Sequence, residues 1–120
     1  MYAFGGRAAE IRSAVYGTGE INTAASSDVD IAVKLLPGVS LPVRKKVELA
    51  IDLETLFAVG KVDLGLLSEA DPFLAAEIVR GERIYSVDET AADEYDLYVL
   101  RRAGDLAPFE RERRESVLNR

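Results

Sequence analysis

Apolar runs of strand type and apolar positions at helical spacing set the order of elements along the chain. Val29-Asp30-Ile31-Ala32-Val33 is apolar at four of its positions and β-branched at three of them, so it predicts a buried strand. Lys61-Val62-Asp63-Leu64-Gly65-Leu66-Leu67 predicts a second strand, apolar except for Asp63 near its start. Between them, Val43, Val47, Ala50 and Ile51 recur at helical spacing, as do Leu49, Leu53, Leu56 and Phe57. The two sets form a wide apolar face, which predicts a helix over residues 41–59 packed on a sheet. Leu35-Leu36-Pro37-Gly38 closes the first strand with a turn signal. Ser40 is the expected N-cap, Pro42 falls in the first turn, and Gly60 is the expected residue past the C-terminus.

The flanks carry weaker patterns. Residues 1–4 are short and apolar and run into Gly5-Gly6-Arg7. Residues 8–15 have helical composition, Val15-Tyr16 reads as a strand end, and Gly17-Thr18-Gly19 reads as a turn. Residues 20–27 form a small, polar loop. Asp71-Pro72 starts a short helix, in which Phe73, Leu74 and Ile78 are expected to face the core and which Gly81 ends. Arg83-Ile84-Tyr85 can add a strand. Ser86 or Asp88 caps a helix over residues 89–102. Residues 105–120 follow as a further helix or tail, with six consecutive charges at 110–115, a solvated face or a partner-docking arm. The domain reading is one folded unit over residues 1–103 and a charged C-terminal segment over residues 104–120.

Composition narrows the chemistry. At 120 residues and 48% hydrophobic content, one domain with its own core is expected. No apolar run is long enough to span a membrane, and no signal-peptide pattern opens the chain. The net charge of −6 argues against an extended nucleic-acid groove. Cysteine is absent, which fits the cytoplasm. Histidine is absent too, which excludes a histidine general base, a Ser-His-Asp triad and histidine-bound zinc. Acid–base work would fall to carboxylates, lysine or tyrosine.

Ser26-Ser27-Asp28-Val29-Asp30 then becomes the stretch of interest. Side chains alternate faces along a strand, so Asp28 and Asp30 point the same way. Two carboxylates about 4 Å apart repel by roughly 4 kcal/mol at an effective dielectric near 20. Such a pair is kept in open water or around a cation, and hard oxygen ligands suit Mg²⁺. Asp63, an acid in an apolar strand, is either a strand-end position facing water or a third carboxylate beside these two.

The order of elements and acids resembles the nucleotidyltransferases of the DNA polymerase β superfamily. It is most similar to the minimal nucleotidyltransferase (MNT) proteins that pair with HEPN-domain toxins. Ser27-Asp28-Val29-Asp30-Ile31-Ala32-Val33 carries the central motif. Residues 50–56 followed by Lys61-Val62-Asp63-Leu64 carry the third acid, and residues 77–85 resemble the closing segment. The resemblance covers roughly residues 15–86. It implies an α/β (α+β) nucleotidyltransferase fold, a small mixed sheet flanked by helices.

It also implies Asp28, Asp30 and Asp63 as catalytic and metal-binding residues, with two Mg²⁺ ions and ATP as substrate. Asp63 is also the candidate to accept the acceptor hydroxyl's proton. The family's Gly-Ser turn has two candidate copies. Gly17-Thr18, with Ser27, keeps a helix ahead of the central strand and is the preferred nucleotide-binding set. Phe4-Gly5-Gly6-Arg7-Ala8 is closer in sequence, but Gly6 replaces the serine. Arg7 is a candidate to neutralise the triphosphate. The implied activity is transfer of AMP to a tyrosine of a HEPN toxin, in the cytoplasm. The alternatives are a non-catalytic binding antitoxin with a degenerate Gly-Ser motif, or a small-molecule nucleotidyltransferase.

Overall fold

A computed structural model describes residues 1–17 and 28–118. The element order is β1 (Tyr2–Phe4), a 3-10 turn (Gly5–Arg7), α1 (Ala8–Val15), β2 (Val29–Val33) and α2 (Val43–Phe57). It continues with β3 (Val62–Leu66), a second 3-10 turn (Leu67–Glu69), α3 (Pro72–Val79), β4 (Glu82–Arg83) and α4 (Glu89–Leu118). The four strands form one mixed sheet in the order β3-β2-β1-β4. β2 and β3 are parallel, as a helical crossover requires, and α2 is that crossover. β1 is antiparallel to both β2 and β4.

The alternation along β2 splits the core in two. Val29, Ile31 and Val33 join Val62, Leu64 and Ala3 on one face, covered by Ile11 of α1 and by Leu53 and Phe57 of α2. Ala32 and Tyr2 lie on the other face, under Ala75, Ala76 and Ile78 of α3 and Val99 and Ala103 of α4. Fully burying an aliphatic or aromatic side chain of this kind contributes about 1.5–3 kcal/mol. Register is therefore strongly specified, because a one-residue slip of β2 would turn its apolar set outward.

Asp71 caps α3, accepting from the Phe73 and Leu74 amides at 2.9 Å each, with Pro72 at the first helical position. Gly81 follows α3 and packs tightly; a Cβ there would lie 2.6 Å from the Ala3 carbonyl oxygen.

Several expectations change. Val15 ends α1 and Tyr16 caps it, so no strand precedes Gly17; the helical composition of residues 8–15 simply runs to its end. Helix α2 begins two residues after the expected start, with Pro42 rather than Ser40 at the cap position and no side-chain cap. It ends on Ala58, in the left-handed conformation at φ +53°, and not on Gly60. Of the wide apolar face of α2, only Leu53 and Phe57 are buried, with Leu49 and Ala50 partly so. Val43, Val47, Ile51 and Leu56 are exposed, because one sheet face covers one stripe of a helix rather than its whole apolar arc. In α3, Phe73 and Leu74 lie on the exposed side while Ile78 is buried. The expected strand at residues 83–85 is instead the two-residue β4. At the C-terminus, the two expected segments are one helix, α4, which runs through Pro108 and across the 103/104 boundary. Among the described residues, no helix is long and apolar enough to cross a membrane.

Candidate functional site

The parallel pairing of β2 with β3 sets Asp30 directly opposite Asp63. Asp28 precedes β2 by one residue, two positions before Asp30 on the same side of the alternation. All three aspartates thus gather at the N-terminal end of the parallel pair. They lie on the face whose deeper part, at Ala32, is sealed by α3 and α4. Asp63 is exposed and Asp30 half-buried.

The electrostatics record this proximity. The Asp30 carboxyl is pushed above the usual aspartate value, first by burial, then by the charges of Asp63 and Asp28. Part of the repulsion is relieved by Lys61, whose Nζ lies 3.5 Å from Asp28 Oδ2. Lys61 also anchors the strand start, since its carbonyl accepts from the Val29 amide at 3.1 Å. Sequence reasoning passed over Lys61. Its place just before the acid-bearing strand is the signal that would have found it.

The two glycine copies occupy different places. Phe4 pairs with Asp30 across β1 and β2, so the turn that follows β1 opens onto the acids. Gly5 has φ +74°, and a Cβ on it would sit 2.6 Å from Asp30 Oδ2. Only glycine allows this approach of backbone to carboxylate. Gly6 has open space where its side chain would be. Gly17 also has a positive φ, but nothing lies within 4 Å of its missing Cβ. It lies beyond the C-terminus of α1, an eight-residue helix about 12 Å long whose other end adjoins Gly5. The helix that the Gly17 register keeps ahead of β2 is α1, which runs to Val15 and leaves no strand end before Gly17. The partners of Gly17 in that register, Thr18 and Ser27, lie outside the described residues.

Arg7 is turned to another task. It is 7% exposed, with Nε donating to Glu10 Oε2 at 3.1 Å and Nη2 to Oε1 at 2.9 Å. This bidentate pair fixes the start of α1 rather than presenting the guanidinium to a triphosphate.

Among the described residues, no group of three or more His, Cys, Asp or Glu side chains, the three aspartates included, is placed to hold a metal ion by itself. The donor set still suits a hard divalent cation. Mg²⁺ is ordinarily held by one or two carboxylates together with phosphate oxygens and water, not by an all-protein cage. The repulsion left around Asp30 is the condition such a cation removes.

No family model and no curated protein matches the sequence. Two solved structures do resemble it. One is a crystal structure of a toxin–antitoxin with AMP-PNP, with a TM-score of 0.64 and 23% identity, covering 98% of this chain and 83% of that one. The other is a mutant of the toxin–antitoxin MntA-HpeT in which two aspartates, two residues apart, are replaced by glutamate. Its TM-score is 0.69 at 18% identity, again covering 98% of this chain and 83% of that one. At these identities the likeness shows the fold: the chain has the α+β nucleotidyltransferase fold, a small mixed sheet flanked by helices.

Proposed function

We propose that the chain is a nucleotidyltransferase antitoxin that transfers AMP from ATP to a tyrosine hydroxyl of a HEPN-domain toxin. The observation that carries this reading is the convergence of Asp28, Asp30 and Asp63 at one end of the β2–β3 pair, with the Gly5 turn against Asp30. The likeness to two toxin–antitoxin structures, one with AMP-PNP, supports it.

In this reading the Gly5-Gly6 turn brings backbone N–H groups to the triphosphate. Asp28, Asp30 and Asp63 would hold the Mg²⁺ ions, two in this reading, and bound there the ions would supply charge neutralisation to the reacting phosphate. Asp63, exposed and paired across the strands with Asp30, accepts the proton of the acceptor hydroxyl. The hydroxyl oxygen forms a bond to the α-phosphorus, the bond to the bridging oxygen breaks, and pyrophosphate leaves. Residues 1–103 carry this chemistry, residues 104–120 are the arm that engages the partner, and the reaction runs in the cytoplasm.

A second reading, a binding antitoxin without transfer, is favoured by Gly6, which brings no hydroxyl where the resembling family has serine. One assay separates the two. The purified chain is mixed with ATP, Mg²⁺ and a HEPN protein encoded beside it, and the products are weighed. A partner heavier by one or more AMP units, and unmodified with Asp63→Asn, is the expected result. A tight complex with no mass gain would overturn the transfer reading and leave the binding one.

A further inference from the structure

Asp63 stands on the outer strand of the sheet, β3, whose far side pairs with no other strand among the described residues. One bond fixes the phase of its backbone. The Lys61 carbonyl accepts from the Val29 amide, so residues 61, 63 and 65 turn their backbone groups to β2. Val62, Leu64 and Leu66 turn theirs outward. Glu54 Oε1 accepts from the Val62 amide at 3.1 Å and closes the start of this edge. The Leu64 amide and carbonyl and the Leu66 amide have no partner among the described residues. Open groups in a row of this kind are a template for a further strand.

The acid-bearing face of β3 is open as well. Asp63 and Gly65 share that face by alternation. Gly65 lies opposite Ala32, which is 1% exposed beneath α3 and α4, yet nothing lies within 4 Å of where a Gly65 Cβ would be. The cover of these helices therefore stops between β2 and β3. It leaves a shelf that runs from Asp63 over Gly65 to the edge. The direction of the reaction says what enters there. In-line displacement sets the attacking and leaving oxygens on opposite sides of the phosphorus. The Gly5 turn, which in the transfer reading holds the triphosphate and so the leaving pyrophosphate, follows β1 on one side of Asp30. Asp63 of β3 lies on the other side. The attacking hydroxyl then comes in from beyond β3.

We propose, resting on that transfer reading, that the acceptor tyrosine is carried by an extended segment of the partner protein that pairs with the outer edge of β3 as a fifth strand. Its backbone meets the open groups of Leu64 and Leu66. Its tyrosine lies over the Gly65 shelf with the hydroxyl turned to Asp63. Neighbouring strands are about 4.8 Å apart, a step that an aromatic side chain spans. A free small molecule would use the shelf and leave the edge unpaired, whereas a chain uses both.

The test follows hydrogen exchange in isotope-labelled full chain, alone and mixed with the HEPN protein encoded beside it, and weighs that protein after ATP and Mg²⁺ are added. The Leu64 and Leu66 amides should exchange quickly in the free chain and become protected in the complex. Gly65→Val fills the shelf with a residue that suits a strand and meets nothing nearby, so melting temperature and ATP affinity should hold. It should raise the KM for the protein acceptor by about threefold to tenfold, the worth of one net hydrogen bond. A partner that gains AMP while Leu64 and Leu66 exchange as in the free chain would overturn the edge pairing and leave the transfer reading intact. Protection of both amides with no mass gain would keep the edge as the docking strand and overturn the transfer reading alone. Protection that appears without the partner and rises with the chain's own concentration would assign the edge to a second copy and overturn the proposal, as would an unchanged KM in Gly65→Val.

Discussion

Replacing Gly5 with alanine separates the two glycine turns. At φ +74°, any residue with a Cβ is strained, by roughly 1–2 kcal/mol. The new methyl would also lie 2.6 Å from Asp30 Oδ2, so the carboxylate must retreat by about 0.8 Å to reach ordinary contact at 3.4 Å. Asp30 is half-buried and hemmed in by Asp63 and Asp28, so its retreat costs further. A total loss of about 2 kcal/mol is expected, a fall in melting temperature of roughly 8 °C for a domain of this size. The functional loss should be larger. A displacement near 1 Å in a group that positions reactants can cost about a hundredfold in rate. Gly17→Ala is the control: it carries the same backbone strain, but nothing lies within 4 Å of the added methyl. It should lose a similar 1–2 kcal/mol and keep transfer and Mg²⁺-dependent ATP binding. Both variants are compared by thermal unfolding and by initial rate of AMP transfer. If Gly17→Ala abolishes ATP binding while Gly5→Ala retains it, the assignment of the phosphate turn to Gly5-Gly6 is wrong.

Gly6→Ser fills open space and restores a hydroxyl donor to the turn, so it should tighten nucleotide binding by about tenfold, the worth of one hydrogen bond to a charged group; calorimetry reads it directly. Ala58→Gly relieves the left-handed φ of +53° at the end of α2 and should stabilise the fold by about 0.5–1 kcal/mol in denaturant unfolding. Asp30 gives a pH signature. Its carboxyl pKa is raised on folding, by burial first and then by Asp63 and Asp28, so the folded state binds that proton more tightly than the unfolded chain. The resulting stability is fully present below the ordinary aspartate value of 3.8 and is lost as pH rises through the raised one. Asp30→Asn should therefore melt higher than the parent at pH 7, with the gap closing as the pH falls; a parent that is the more stable at pH 7 would contradict the repulsion argument. Truncation after residue 105 removes the end of α4 beyond Ala103, its last buried residue, and should weaken toxin binding on a sizing column while leaving ATP affinity unchanged; equal loss of both would make the arm a fold-stabilising element.

What the sequence made legible divides along one physical line. Val29–Val33 and Val62–Leu66 are legible because apolar alternation must be buried on one particular face, and the same alternation carries Asp28, Asp30 and Asp63 onto the other. The acids were therefore placed as soon as the strands were. Helix α2 was legible as a helix but not as a buried surface. Val43, Val47 and Ile51 satisfy helical spacing as well as Leu53 and Phe57 do, and only the position of the sheet decides which stripe is covered. The two glycine turns look alike in sequence for a related reason. Gly5 and Gly17 share a φ of +74°, and as sequence both are glycines beside a helix; what distinguishes them is the pairing of Phe4 with Asp30, a contact 26 residues apart along the chain. The three-residue strand β1 gives no periodicity to find it by, yet it is the strand that joins the turn to the acids. Where function depends on such a short central strand, the site has to be read from register, and the sequence supplies register only indirectly, through the faces it obliges its neighbours to bury.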